Sequence, residues 1–236
     1  MSNNKWGREV QKRAFDIWIE HFGEYCEGIQ PFTSPIPESA SVIVMGYNPG
    51  ETADGNIPSM TEQFLRGDFS MPERGDYGPP SKVETGYKAA NPLREHLFKD
   101  HLSYLDGDCV ETNLYYLRTK GTDSHKKFEQ LSKDIWNNYI SFCYSTLDEL
   151  ISRVEPKLLV VFSITAYNDL VERAENVSVE EKHKGLWRGS NIQALTHSKL
   201  DGLPVVATAH PSTCWQGEVK EHVQKRGPKL LSKYLD

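Results

Sequence analysis

The 236-residue chain is long enough for one large domain and short for two. Its formal net charge of −6 argues against a protein that coats nucleic acid by bulk electrostatics, its 38% hydrophobic content leaves room for long loops, and no apolar run approaches the roughly twenty residues of a membrane span. Met1 to Arg8 lack the apolar core of a signal peptide, and Cys26, Cys109, Cys143 and Cys214 form no C-x-x-C pair, so the expectation is a monomeric cytoplasmic domain over residues 1–236 with free thiols and no metal or other cofactor.

Between Lys5 and Phe22, the residues Trp6, Val10, Ala14, Ile17, Trp18 and Phe22 recur at helical spacing and predict an amphipathic opening helix. A proline-rich stretch from Pro31 to Pro37 leads to Ser41–Met45, a β-branched run without alternation that suits a strand buried on both faces of a parallel sheet. The chain then turns at Gly46-Tyr47-Asn48-Pro49-Gly50. Residues 51–90 show no sustained period and predict a long loop of the kind often used for function. Asn91-Pro92 marks a helix start with Leu93, Leu97 and Leu102 as its apolar face, and Cys109–Leu114 predicts a second strand. A long helix is expected over Lys126–Val154, stopped by Pro156, followed by a strand at Leu158–Phe162 and a helix at Ala166–Ala174. Ile192–Leu195 and Val205–Ala209 read as strands, and Val219–Tyr234 as the last helix. Strands separated by helices imply βαβ crossovers. The expected fold is α/β, a three-layer αβα sandwich around a central, mainly parallel sheet of four to five strands.

Open parallel sheets bind ligands beyond the carboxyl ends of their strands. Two such ends carry unusual polar turns, Gly46 to Gly50 after the first strand and His210-Pro211-Ser212 after the last. In both, a proline biases the residue before it toward extended geometry, which commits Asn48 and His210 in direction. The glycines let the backbone come close to a ligand. Taken singly, Asn or His before proline is a common turn former, and Asn113 could cap a strand end.

The pairing of G-x-N-P-G near the amino end with H-P-S near the carboxyl end resembles the two signature motifs of the uracil-DNA glycosylase superfamily. At residue frequencies of about 5%, a given tripeptide arises by chance in roughly 3% of chains this long and both in about 0.1%, so the pair weighs more than either. Glu111-Thr112-Asn113-Leu114 resembles the family's middle strand ending in Asn, and Leu158 to Leu170 its later strand and helix, which extends the resemblance over roughly residues 40 to 215. The resemblance implies a monofunctional glycosylase that flips a nucleotide out of DNA and replaces uracil or a modified pyrimidine with water. His210 would then donate to the leaving base and Asn48 hold the water, an amide being unable to act as a base, unlike the Asp of the fastest members. Asn113 would read the base edge. Gly46, Tyr47 and Pro49 would shape the pocket, and Ser212 and the Gly50 backbone would grip flanking phosphates.

Phe64, Phe69, Tyr77 and Tyr87 are candidates for stacking on the base. Trp215 stands where the family places its wedge loop, although a buried core role suits it equally. Lys220, Lys225, Arg226, Lys229 and Lys233 face either phosphates or solvent. The spacing of the family's iron–sulfur cysteines is not reproduced, and no motif places a Schiff-base lysine. The long polar stretch from Arg66 to Thr85 suggests a base bulkier than uracil. Two other readings compete: a catalytically silent member binding DNA or a protein, and an unrelated nucleotide-binding enzyme, the latter lacking any G-x-G-x-x-G or P-loop motif.

Overall fold

In the computed structural model, residues 2–49, 59–72, 90–119, 128 and 132–236 are described, with 59, 90, 212 and 213 by their backbone alone. Strand β1 (Val42–Gly46) is buried throughout, and its alternate residues enter two different apolar clusters. Ile43 and Met45 pack with Trp6, Val10 and Ala14 of helix α1 (Asn3–Ile17) and with Tyr139 and Phe142 of a later helix. Val42 and Val44 pack on the opposite face with Leu93, Leu97, Val219 and Val223. Burial on both sides is why this strand has no polar alternation. Each fully buried Val or Ile side chain contributes about 1.5–3 kcal/mol.

After α1, a π-helical turn (Trp18–Phe22) completes the expected opening helix. Helix α2 (Ser59–Leu65) follows β1, and α3 (Ala90–Pro92) continues as a π-helical turn, Leu93–Leu97. The chain then breaks at Phe98 and starts again as α4 (Leu102–Gly107), which leaves Leu102 exposed rather than on the expected apolar face. Strand β2 (Cys109–Asn113) precedes the long helix α5 (Lys133–Val154), whose earlier expected residues fall mainly outside the described ones. Glu155 ends α5 in the left-handed region at φ 47, with Pro156 behind it. Strand β3 (Leu158–Val161) leads directly into α6 (Ile164–Arg173), where the Ser163 hydroxyl accepts from the Ala166 amide at 3.3 Å as the N-cap. The chain continues through β4 (Val177–Trp187), β5 (Ser190–Leu200), β6 (Leu203–Thr208), the short helix α7 (Pro211–Cys214) and helix α8 (Gly217–Leu235).

Among the described residues the sheet has six strands in the order β2-β1-β3-β6-β5-β4, more than the four or five expected. The first four are parallel, whereas β5 runs antiparallel to both β6 and β4. The expectation missed β4 altogether and saw only part of β5. β4 is an edge strand bearing Glu180, Glu181, Lys182, His183 and Lys184, so it lacks the apolar run that betrays a central strand. No helix of the described residues is long and apolar enough to cross a membrane.

Candidate functional site

Parallel pairing sets the carboxyl ends of β2, β1, β3 and β6 side by side. Gly46 lies opposite Asn113, and Met45 opposite Val161. Beyond the strands, the Phe162 amide bonds the Met45 carbonyl at 2.9 Å, while the Leu114 and Tyr115 amides bond the carbonyls of Gly46 (3.0 Å) and Tyr47 (2.8 Å). The Thr119 amide reaches the Pro49 carbonyl at 3.2 Å. The turn after β1 is therefore laced to the segment after β2 rather than left as a free loop.

Asn48 is anchored by the same segment. Its Nδ2 lies 2.9 Å from each of three acceptors, the Thr119 carbonyl, the Thr119 hydroxyl and the Pro49 carbonyl, so one of its two N–H groups is shared. Two of these acceptors are carbonyl oxygens that can only accept, which fixes the amide's orientation. Oδ1 makes no hydrogen bond among the described residues and can only accept one.

Four residues line the edge of the sheet next to it. A Cβ on Gly46 would lie 2.6 Å from Asn113 Oδ1 and 3.0 Å from two atoms of the Phe162 ring, so the absence of a side chain at Gly46 lets these two side chains close over β1. Phe162 in turn meets His210 edge to face, with ring centroids 5.9 Å apart. Asn113 is buried, and its carboxamide makes no hydrogen bond among the described residues. Asn113, Gly46, Phe162 and His210 thus form a continuous row across the four strand ends. The strand holding Asn48 and the strand holding His210 are two spacings apart, about 10 Å.

His210 sits in extended geometry (φ −63, ψ 124) before Pro211, as the dipeptide requires, and serves as N-cap position of α7. Burial pushes its imidazole below the ordinary histidine value, so it is neutral at neutral pH and offers one N–H donor.

The remaining expected residues fall elsewhere. Tyr47 is half-buried, its ring packed edge to face on Tyr115 at 5.0 Å. Pro49 is buried. Gly50, the Ser212 side chain, Tyr77 and Tyr87 lie outside the described residues. Phe64 is buried and stacks on Phe69 at 5.2 Å, and both pack on Phe15 of α1, so neither is a base-stacking candidate. Trp215 is a core residue: it is buried, and its Nε1 donates to the Ala209 carbonyl at 2.7 Å. Much of the C-terminal basic segment is tied down, Lys225 to Glu221 at 3.2 Å, Arg226 to Glu181 at 2.5 Å and Lys233 to Glu180 at 2.7 Å. None of the four cysteines forms a disulfide, and Cys109 and Cys143 are buried. Among the described residues no group of three or more His, Cys, Asp or Glu side chains is placed to hold a metal ion.

Sequence reasoning missed Phe162, Thr119 and a brace behind the first turn. The Tyr115 hydroxyl donates to Asp169 at 2.8 Å and lies 3.1 Å from the Tyr144 hydroxyl. Burial pushes the Asp169 carboxyl above its ordinary value, and the Tyr115 hydrogen bond opposes that rise. Only for Phe162 was there a signal, its place as the last apolar residue of a strand whose end faces the site. Neither known family profiles nor curated proteins match the chain.

Proposed function

We propose that the protein is a monofunctional DNA glycosylase that hydrolyses the N-glycosidic bond of uracil or a modified pyrimidine flipped out of DNA. The observation that carries this reading is the row at the carboxyl edge of the parallel strands, a neutral imidazole at His210, an aromatic ring at Phe162 and a buried carboxamide at Asn113 without a hydrogen bond among the described residues, with the anchored amide of Asn48 two residues beyond Gly46. The C1′–N bond breaks as its electron pair passes to the base, and water forms the new bond to C1′ and gives its proton to solvent. His210 donates to the base oxygen on which the negative charge gathers, a stabilisation absent from the uncharged ground state. Asn48 Oδ1 accepts a hydrogen bond from the water and aims it, without taking its proton. Asn113 offers both donor and acceptor to the edge of the pyrimidine.

The architecture belonging to this reading is the three-layer αβα sandwich of uracil-DNA glycosylases, which the apolar clusters on the two faces of the sheet favour. The protein works on it as a cytoplasmic monomer, a setting that suits four cysteines without a disulfide.

The test is an excision screen on single- and double-stranded oligonucleotides carrying uracil, thymine mispairs, 5-substituted pyrimidines and larger adducts, with alkaline cleavage at abasic sites. Asn48→Ala and His210→Ala should each remove most excision, the latter by about 10² to 10³ as for other oxyanion-type donors. Asn48→Asp should preserve or raise it, because a carboxylate favours the cationic sugar. Wild-type rates in all three variants would falsify the site. A wild-type protein that binds DNA yet excises nothing would favour the catalytically silent reading.

A further inference from the structure

The antiparallel half of the sheet extends farther than the parallel half. β6 ends at Thr208, opposite Leu195, and the Ala209 amide bonds the Ala194 carbonyl at 3.1 Å. Beyond that level β5 and β4 continue alone. Residues 190–194 carry this hairpin about 16 Å past the carboxyl edge, at about 3.3 Å per residue. It rises beside His210, the residue after Ala209.

One face of the arm is covered by α8. A Cβ on Gly185 would lie 2.8 Å from the Val219 amide nitrogen, and His183 stacks on His222 with ring centroids 5.3 Å apart. Glu218 accepts from the Leu186 amide at 2.9 Å. The other face is open, with Lys182, Lys184 and Leu186 exposed in alternation along β4 and Arg188 exposed at the tip. Residues of one face recur about every 6.6 Å.

Charge on this face has one sign. Residues 182–193 include Lys182, Lys184 and Arg188 and no Asp or Glu, within a chain of net charge −6. Glu180 and Glu181, just before them, are engaged by Lys233, Lys199, Arg226 and His183. Lys182, Lys184 and Arg188 make no ion pair among the described residues. Lys side chains also guard exposed sheet edges such as that of β4, a role that leaves the arginine at the hairpin tip unaccounted for. Arg188 departs from the usual turn chemistry. With φ 48 before Gly189 at φ 80, it holds the first central place of a two-residue hairpin turn, where Asn, Asp or Gly is ordinarily preferred. Its guanidinium lies 4.8 Å from the centre of the Trp187 ring.

We infer that the β4–β5 hairpin is a DNA-gripping arm whose Lys182, Lys184 and Arg188 take backbone phosphates flanking the nucleotide held at the carboxyl edge. The choice of DNA as the polyanion rests on the glycosylase reading. Trp215 is buried and Arg226 and Lys233 of α8 are tied to Glu181 and Glu180, whereas the arm's cations are exposed and unpaired among the described residues.

The test is fluorescence anisotropy of the full chain on a labelled uracil-containing oligonucleotide, single-stranded and as a duplex, over a salt series. The variants are Arg188→Gly, which suits the positive φ, and Lys182→Ser with Lys184→Ser, with thermal melts to check folding. Lys225→Ser with Lys229→Ser on α8 is the control. The slope of log affinity against log salt should flatten by about 0.9 per lost phosphate contact, hence by about 1 for Arg188→Gly and about 2 for the lysine pair, with the control unchanged. Slopes equal to wild type in both arm variants, or no salt-dependent binding by the wild type, would overturn the arm. Binding that depends on the arm without excision of any base would support the arm and overturn the glycosylase reading. Excision with arm-independent binding would do the reverse.

Discussion

Gly46→Ala separates the stability of the fold from the geometry of the site. The new methyl would lie 2.6 Å from Asn113 Oδ1 and 3.0 Å from the Phe162 ring, inside contact distance for both. Overpacking a core typically costs about 1–3 kcal/mol. Here the nearer atom is the end of a carboxamide that can rotate away, and the ring needs to give by only a few tenths of an ångström, so a loss of about 1 kcal/mol is expected. Alanine's lower entropy cost in a strand offsets about 0.5 kcal/mol of it. The effect on excision is larger, because the rotation turns Asn113 away from the base edge, and a displacement near 1 Å can lower a rate by about 10². Urea denaturation measures the first quantity and single-turnover excision the second. In a double-mutant cycle with Asn113→Ala, the oxygen contact is gone, and a coupling of at least about 0.5 kcal/mol should appear. A Gly46→Ala protein with unchanged stability and an unchanged single-turnover rate would refute the packing argument and the role given to Asn113 together.

Further outcomes follow from single residues. His210 is half-buried and its desolvation favours the neutral form, so its folded value lies below the unfolded 6.5, and the unfolded chain binds more protons between the two values. Its contribution to stability is therefore full above 6.5 and falls as pH drops through that window, and excision should be flat through 6.5 with an acid limb only below it; a rate that declines as pH rises through 6.5 would show that the imidazolium is required. Trp215→Phe leaves the Ala209 carbonyl without its 2.7 Å partner and should cost about 1–3 kcal/mol in chemical denaturation, with a fall in excision through the adjoining His210; an equally stable variant would count against a core role. Thr119→Val removes the hydroxyl but keeps the carbonyl acceptor of Asn48, so excision should fall by less than in Asn48→Ala, and a loss as large as that variant's would show that the hydroxyl alone orients the amide.

The parallel core and the two turns were legible in the sequence because their signals are local. Strands buried on both faces read as unbroken apolar runs, as in Ser41–Met45 and Leu158–Phe162, and proline commits the residue before it wherever the chain goes. One local signal was there but unread: Asp201-Gly202, with φ 49 and 89, is the tight turn that makes β5 and β6 antiparallel, and Asp-Gly is a strong hairpin dipeptide. The rest depended on contacts between residues far apart in the chain. β4 is a strand through pairing with β5 and packing on α8, its own residues being charged and mostly exposed. Phe64, Phe69 and Trp215 have side chains suited equally to a core or to a base, and their neighbours on α1, Ala209 and the sheet decided for the core. Phe162 joined Asn113 and His210 because four strands from different parts of the chain end side by side, a juxtaposition that no stretch of sequence contains.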